Sequence, residues 1–178
     1  MHQLTVKGRP DEGYLLLVDF LDADAAAGWF PIGDAVMGGA SKCELVPGPA
    51  GATLFRGFVS LANHGGYASV RSPAFAFDLA GFEGVALRVR GDGKRYKLNL
   101  KVAAEFDALQ YQAAFETPNN AWITVKLPFA AFVPVYHGKL VPDAPPLDRS
   151  AIRSFGFVIA DRQWGFFQLE LASISVYR

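Results

Sequence analysis

The chain has 178 residues with seventeen basic and seventeen acidic side chains, so its formal net charge is zero. This length fits one domain with a substantial core, and we predict a single domain over residues 1–178. The balanced charge provides no overall field to draw the protein onto nucleic acid or an anionic membrane surface. The single cysteine excludes an internal disulfide.

The predicted elements are strands. A continuous apolar run over residues 14–20 predicts the first strand, and residues 42–46 and 53–60 predict a hairpin across a turn rich in Pro and Gly. Residues 66–72 and 75–79 predict two further strands, separated by Pro73.

The middle of the chain has the clearest alternation of apolar and polar residues. Residues 85–90 and 96–102 both alternate, and Gly91-Asp92-Gly93-Lys94 between them predicts a tight hairpin turn. Residues 110–116 and 122–127 predict a third hairpin. The second and third predicted hairpins imply one sheet face that carries Arg88, Arg90, Lys97, Asn99 and Lys101, with Gln110 and Gln112 or Tyr111 and Phe115 beside them.

The last third of the chain begins with a predicted irregular, proline-rich loop over residues 134–149, closed by a helical turn near residues 147–152. Residues 155–160 and 166–177 predict the final strands. About ten mostly antiparallel strands predict an all-β fold, a two-sheet antiparallel β-sandwich of the jelly-roll type.

Motifs for catalysis are absent from the sequence. No phosphate-binding loop, nucleophile elbow, dinucleotide fingerprint or zinc-ligand spacing occurs, so we predict no catalytic residue, no cofactor and no metal site. Asp19, Asp22 and Asp24 could bind calcium or form turns. Carboxylates at predicted strand ends could pair as in glycosidases or cap turns; these are Asp34, Asp78, Asp92 and Asp161.

Two glycine pairs within strand-like sequence stand out. Residues 34–41 read Asp-Ala-Val-Met-Gly-Gly-Ala-Ser, and residues 63–71 read Asn-His-Gly-Gly-Tyr-Ala-Ser-Val-Arg. Such pairs imply backbone positions where a side chain is excluded.

The order of these motifs resembles the complex I intermediate-associated protein family. The matching positions run from about residue 18 to residue 176 and include Trp29, Val36-Met37-Gly38-Gly39, Asn63-x-Gly65-Gly66, Gly91-Asp92-Gly93, Tyr111-Gln112 and Leu127-Pro128-Phe129. The resemblance implies a galactose-binding-like jelly roll and a non-catalytic role as an assembly factor or chaperone. It implies protein partners, namely respiratory-complex subunits or assembly intermediates.

Two hypotheses for the binding surface follow. In the first, a protein partner contacts the surface around Asp34, Met37, Ser41, Asn63, Ser69 and Arg71; the alternative is that Asp34 and Arg71 pair and lock two loops together. In the second, the chain is a carbohydrate-binding module that recognises a glycan through the polar sheet face, with Asn99 and Gln112, or through the end loops. The alternative for that face is an ordinary solvated surface.

The compartment is predicted to be the cytoplasm. No segment at the start of the chain has the basic region, apolar core and cleavage site of a targeting peptide, and no apolar run has the length of a membrane helix. One cysteine fits a reducing compartment.

Overall fold

Thirteen β-strands form in the part of the chain that the computed structural model describes, residues 13–34 and 38–178. They are β1 (Tyr14–Asp19), β2 (Phe30–Gly33), β3 (Lys42–Pro47), β4 (Thr53–Val59), β5 (Ala68–Arg71), β6 (Gly84–Asp92), β7 (Arg95–Lys101), β8 (Gln110–Glu116), β9 (Asn119–Pro128), β10 (Val133–Tyr136), β11 (Lys139–Leu140), β12 (Ser154–Ile159) and β13 (Gly165–Tyr177).

The strands form two antiparallel sheets. Sheet A has the order β3-β4-β13-β6-β9, and β1 pairs with the second half of β13. Sheet B has the order β11-β10-β8-β7-β12-β5-β2. This arrangement confirms the predicted all-β, two-sheet fold class.

The core lies between the two sheets and is rich in aromatic rings. From sheet A, Phe55 and Phe167 pack edge to face with their centroids 5.0 Å apart, and Tyr96 of sheet B approaches Phe167 at 6.4 Å. Trp29 stacks on Phe157 at 6.1 Å. Because inward residues alternate with outward ones along most strands, each sheet has a second, outer face; β12 is the exception, since all six of its residues are buried.

Two of the predicted hairpins are wrong. β6 lies in sheet A and β7 in sheet B, so the turn at residues 91–94 crosses from one sheet to the other; β8 and β9 are likewise in different sheets. Alternation cannot distinguish the two cases, because the apolar side chains face the core both in a hairpin and in a crossover. The hairpin of β3 and β4 is confirmed.

The crossover between β6 and β7 is stabilised by side chains. Asp92 accepts hydrogen bonds from the Tyr96 hydroxyl at 3.0 Å and from the Gln168 backbone N–H at 3.0 Å. Gly91 packs against Thr117, and a Cβ at this glycine would overlap the threonine side chain. These contacts turn the chain out of sheet A.

Three smaller predictions also need correction. Residues 75–79 do not form a strand; Phe75 and Leu79 each donate one backbone hydrogen bond, to Arg153 and Arg149, and no ladder forms. The short strands β10 and β11 lie in the segment expected to be irregular, whereas the predicted helical turn is present at Arg149–Ala151. Strand β2 escapes prediction because it is a four-residue edge strand that contains a proline.

Candidate functional site

Asp34 joins the two glycine motifs at one end of the sandwich. It lies directly after β2, is 1% exposed, and its carboxylate accepts four hydrogen bonds. The Ser41 backbone N–H and hydroxyl donate at 2.9 and 2.7 Å, and the backbone N–H groups of Gly66 and Tyr67 donate at 2.7 and 3.3 Å. We call this arrangement the Asp34 clasp.

The glycine pairs are explained by the closeness of Asp34. A Cβ at Gly39 would overlap the Asp34 carboxyl group, and a Cβ at Gly65 would come within 2.5 Å of Asp34 Oδ2. Gly38 and Gly66 have positive φ angles of 85° and 138°, which side chains disfavour. The motifs therefore build the clasp, and the clasp is buried rather than presented to a partner.

The ionised form of Asp34 is stabilised by its donors. Burial alone would raise the pKa of this carboxyl, but the hydrogen bonds from Gly66, Ser41 and Tyr67 outweigh burial and lower the pKa below its usual range. In the described part of the chain, no cation lies within ion-pair distance of Asp34.

The predicted alternative that Asp34 pairs with Arg71 is wrong. The Arg71 guanidinium instead lies 5.1 Å from the centroid of the Phe106 ring and donates to the Phe106 backbone carbonyl at 3.3 Å. Arg71 belongs to the outer face of sheet B, because its neighbours Ala68 and Val70 on β5 are the ones that face the core. The two loops are indeed joined, but by Asp34 and backbone donors.

Arg71, Asn99 and Gln112 lie in one line across the outer face of sheet B. The strand registers align six residues from β10 to β2, in the order Val133, Gln112, Asn99, Gly156, Arg71 and Phe30. We call this line the transverse row. The two ends of the row are apolar: Val133 is 43% exposed and Phe30 is 39% exposed.

The amides of the row are hydrogen bonded to one another. Gln112 Nε2 donates to Asn99 Oδ1 at 2.8 Å, and Asn99 Nδ2 donates to Gln110 Oε1 at 2.7 Å. The oxygen of Gln112 and the nitrogen of Gln110 have no partner among the described hydrogen bonds and can serve a ligand. The arrangement offers one acceptor and one donor at the two ends of a fixed amide chain.

The loop of residues 102–109 packs over one side of this face. Lys101 donates from below to the backbone carbonyls of Glu105 and Phe106. From β10, the Tyr136 hydroxyl donates to Asp107 Oδ2 at 2.9 Å, and His137 Nε2 lies 2.6 Å from Asp107 Oδ1. Phe106, at the tip, remains 60% exposed.

The predicted single polar face is wrong in two respects. Arg88 and Arg90 lie on sheet A, where Arg90 forms a bidentate ion pair with Glu170 at 2.7 and 2.8 Å. Lys101 is on sheet B but is only 4% exposed. The crossover between β6 and β7 separates these residues.

The remaining predicted site residues divide between structural positions and positions near the row. Ser41 is part of the clasp. Ser69 lies next to Arg71 on β5, and its hydroxyl donates to the Ile32 backbone carbonyl at 2.8 Å. Asn63 is exposed in a short turn with φ of 54°, and Met37 lies outside the described residues.

Carboxylate clusters do not assemble into a metal site in the described ranges: no group of three or more His, Cys, Asp or Glu side chains could hold a metal ion there. Asp19 and Asp22 instead accept hydrogen bonds from the backbone N–H groups of Leu21 and Asp24, so they form turns. Burial raises the pKa of the Cys43 thiol to about 11, and its sulfur donates to the Ser69 carbonyl. Cys43 is therefore a poor nucleophile.

Exposed aromatic side chains are the feature that the sequence analysis missed. Phe106 and Phe30 flank Arg71 on sheet B, and on sheet A the rings of Trp164 and Phe166 pack against Phe58 while remaining 65% and 80% exposed. Phe166 alternates with the inward-facing Phe167 on β13, so the outward phase of that strand was the signal that could have identified Phe166.

Solved structures with the same fold include sugar-binding domains. A family 11 carbohydrate-binding module from Clostridium thermocellum in complex with a β-1,3-1,4-mixed-linked tetrasaccharide superposes with a TM-score of 0.69 and 18% identity, over 93% of this chain and 96% of that chain. An agarase superposes with a TM-score of 0.64 and 12% identity, over 94% of this chain and 25% of that chain. At these identities the likeness shows the jelly-roll fold alone.

Curated relatives share one name. The Drosophila melanogaster "Complex I intermediate-associated protein 30, mitochondrial" is 26% identical over 92% of this chain and 62% of its own length. The mouse protein of the same name is 32% identical over 57% of this chain and 32% of its own length. The chain thus spans between about a third and three fifths of these relatives.

A family match covers almost the whole sandwich. The sequence model described as "Complex I intermediate-associated protein 30 (CIA30)" matches residues 18–171, which include the Asp34 clasp and every strand of the transverse row. In the described ranges, the longest helical segments are single turns, and none could cross a membrane. This chain belongs to the complex I intermediate-associated protein 30 family.

Proposed function

We propose that this protein is a non-catalytic binding protein that acts in the assembly of a respiratory or other membrane complex by contacting a protein partner through the outer face of sheet B. Family membership supports the assembly role, since the curated relatives are named for association with complex I intermediates. The transverse row is the observation that supports the outer face of sheet B as the contact surface.

The composition of that face suits a protein interface. An arginine, two exposed phenylalanines and a chain of amides lie together, and the centres of protein interfaces are enriched in Arg and aromatic residues. Arg71 keeps most of its guanidinium donors free among the described hydrogen bonds, because only one of them contacts a backbone carbonyl. The clasp residues Asp34 and Ser41 serve this surface indirectly by fixing the end of the sheet.

Affinity purification from the native host followed by mass spectrometry tests the proposal. We expect the wild-type chain to enrich subunits of a respiratory complex or its assembly intermediates, and we expect Phe106→Ser to reduce this enrichment. Phe106 is suited to the test because it is 60% exposed, so its loss removes an interface contact without opening the core.

The matched control is Phe166→Ser, which removes a still more exposed phenylalanine, 80% against 60%, from the opposite sheet. If both variants retain the same subunits as the wild type, the outer face of sheet B is not the contact surface. If only Phe166→Ser reduces the enrichment of these subunits, the contact surface lies on sheet A instead.

A glycan is the second candidate ligand, favoured by the amide chain of Gln112, Asn99 and Gln110, which could bond to sugar hydroxyls. Titration calorimetry with a mixed-linked glucan tetrasaccharide and a glycan array test this candidate. Binding that is lost on Asn99→Ala would support it. The absence of any binder would leave the protein partner as the proposal.

The compartment is a separate proposal. The sequence predicts the cytoplasm, whereas the names of the relatives carry the word mitochondrial. Fractionation of the native host with an antibody against the chain tests it, and recovery in an organelle pellet would contradict the cytoplasmic prediction.

A further inference from the structure

Two cations on the outer face of sheet B have no acidic partner. Lys101 is 4% exposed and Arg71 is partly buried, yet among the described residues neither has a carboxylate oxygen within 4.0 Å. Buried lysines in proteins are almost always paired with a negative charge. An uncompensated positive charge at this depth requires an explanation.

Both cations converge on the same backbone oxygen. Lys101 Nζ donates to the Phe106 carbonyl at 3.1 Å, and an Arg71 nitrogen donates to it at 3.3 Å. Burial and the adjacent Arg71 charge lower the pKa of Lys101, and burial lowers the pKa of Arg71. The carbonyl satisfies hydrogen bonds, but it neutralises neither charge.

The nearest carboxylates do not fill this role. Glu105 and Asp107 act on the Lys101 charge from beyond ion-pair distance. The Asp107 carboxylate is already bound to Tyr136 and His137, and the Glu105 side chain is exposed. Glu105 and Asp107 therefore offset the Lys101 charge only at long range, and among the described residues the Arg71 guanidinium has no carboxylate in contact.

Arg71 and Asn99 lie on either side of Gly156 in the transverse row, and strand spacing puts the Cα atoms of those two residues about 10 Å apart. Gly156 itself is buried, whereas Arg71 and Asn99 are each partly exposed. We call the surface formed by the Arg71 guanidinium and the Asn99 amide on either side of Gly156 the slot. A carboxylate from solvent can reach the partly exposed guanidinium there.

We propose that this slot binds a carboxylate of the protein partner, an aspartate or glutamate side chain, with Arg71 as the contacting group and Lys101 as the buried charge beneath it. The protein origin of the carboxylate rests on the proposed function. A nucleic acid fits less well, because it needs several phosphate contacts, whereas this face offers two unpaired cations and the whole chain has zero net charge.

The test is a titration of the isotopically labelled chain, followed by NMR, with an octaglutamate peptide blocked at both ends. We expect the backbone signals of Arg71, Asn99 and Gly156 to shift, and we expect Arg71→Gln to weaken binding about tenfold, the loss of a charge-assisted bidentate contact. Raising the salt concentration should weaken binding as well. Blocked octaglutamine should bind much more weakly.

Matched variants separate the slot from general basicity. Arg88→Gln removes a cation from sheet A and should leave the affinity unchanged. Glu105→Gln should leave it unchanged or strengthen it, since a competing negative charge is removed. Lys101→Met should weaken binding. If this variant does not fold, Arg71→Gln still tests the proposal, because Arg71 is partly exposed and its replacement leaves the core intact.

Several results would overturn the proposal: equal binding of octaglutamine, unchanged affinity in a folded Arg71→Gln variant, shifts confined to sheet A, or tighter binding of a thymidine octanucleotide than of octaglutamate.

These results are distinct from failure of the proposed function. If octaglutamate binds but the host yields no complex subunits, the slot stands and the assembly role fails. If subunits are recovered and depend on Phe106 but not on Arg71, the assembly role stands without the slot.

Discussion

Asp34 shows how one buried charge organises two distant stretches of chain. Its carboxylate receives donors from residues seven and more than thirty positions away. Since each bond to a charged group contributes about 1.5–3 kcal/mol when both partners are in place, losing the charge leaves several buried N–H groups poorly satisfied. The clasp is therefore a stabilising element first.

Replacing Asp34 with Asn should lower the free energy of unfolding by about 3 kcal/mol, because the amide can accept at one atom only. Urea denaturation, monitored by circular dichroism, measures this loss in the free energy of unfolding. Asp78→Asn is the control, since Asp78 accepts a single bond from Ala80 in an exposed turn, and it should leave the midpoint nearly unchanged. Equal effects of the two substitutions would contradict the stabilising role.

The same carboxylate predicts a pH dependence. Because hydrogen bonds lower the pKa of Asp34 in the folded state, its contribution to stability is present above the unfolded-state pKa of about 4 and is lost as the pH falls through the lower folded-state value. We expect the stability difference between wild type and Asp34→Asn to shrink below about pH 4. A difference that grows on acidification would show that the sign is wrong.

Gly39 and Gly65 make the clasp possible, so alanine at either position should destabilise the fold. A Cβ at either glycine would press on the Asp34 carboxyl group, and the neighbouring backbone would have to move by enough to disturb its hydrogen bonds. Thermal unfolding measures the loss. Gly81→Ala should be tolerated, because nothing lies within 4 Å of a Cβ at that position.

Among the elements, the crossovers between sheets were the part that the sequence could not predict. Alternating runs located most strands, including β4, β6, β7, β8 and β13, since one face of each lies in the core. The pairing of strands depends on contacts between residues that are far apart in the sequence. Asp92 accepts a hydrogen bond from the Gln168 backbone N–H, and the Thr117 side chain packs against Gly91. Such contacts leave no trace in local periodicity.

The site was predictable only in part for the same reason. Asn99, Gln112 and Arg71 were each identified as candidates, but Arg71 was assigned to the surface of the glycine motifs and the two amides to the polar sheet face, because no local pattern shows that β5, β12 and β7 are neighbours. The register brings them together across Gly156. For the glycine motif around Asp34, the alternative that the two loops are joined is confirmed, but the partner given for Asp34 was wrong because backbone donors carry no sequence signature.

Removal of the Tyr96 hydroxyl tests the crossover of β6 and β7. It donates to Asp92 at 3.0 Å and lies 3.1 Å from the Gln168 carbonyl, so it connects sheet B to sheet A. Tyr96→Phe should lower the free energy of unfolding by about 1.5 kcal/mol, the lower end of the range for a hydrogen bond to a charged group. Tyr136→Phe, which removes a hydroxyl from a loop contact, should change global unfolding less, and the reverse order would contradict this view.

For the whole molecule, the single shared core predicts one cooperative transition. Rings from both sheets interlock, as Tyr96 does with Phe167, and as Phe20, directly after β1 of sheet A, does with Phe157 of sheet B, so neither sheet keeps its apolar face covered without the other. Urea unfolding followed by tryptophan fluorescence and by far-ultraviolet circular dichroism should give coincident midpoints. Two separated transitions would contradict the single domain predicted for residues 1–178.

The long strand β13 has a consequence for how the chain is made. It pairs with β4 and then β1 on one side and with β6 on the other. These three strands precede β13 in the chain, so each has an open edge until β13 has been made. Unpaired strand edges invite pairing with other chains. A sandwich built from consecutive hairpins closes such edges earlier, so we expect nascent copies of this protein to be more prone to wrong pairing until β13 emerges.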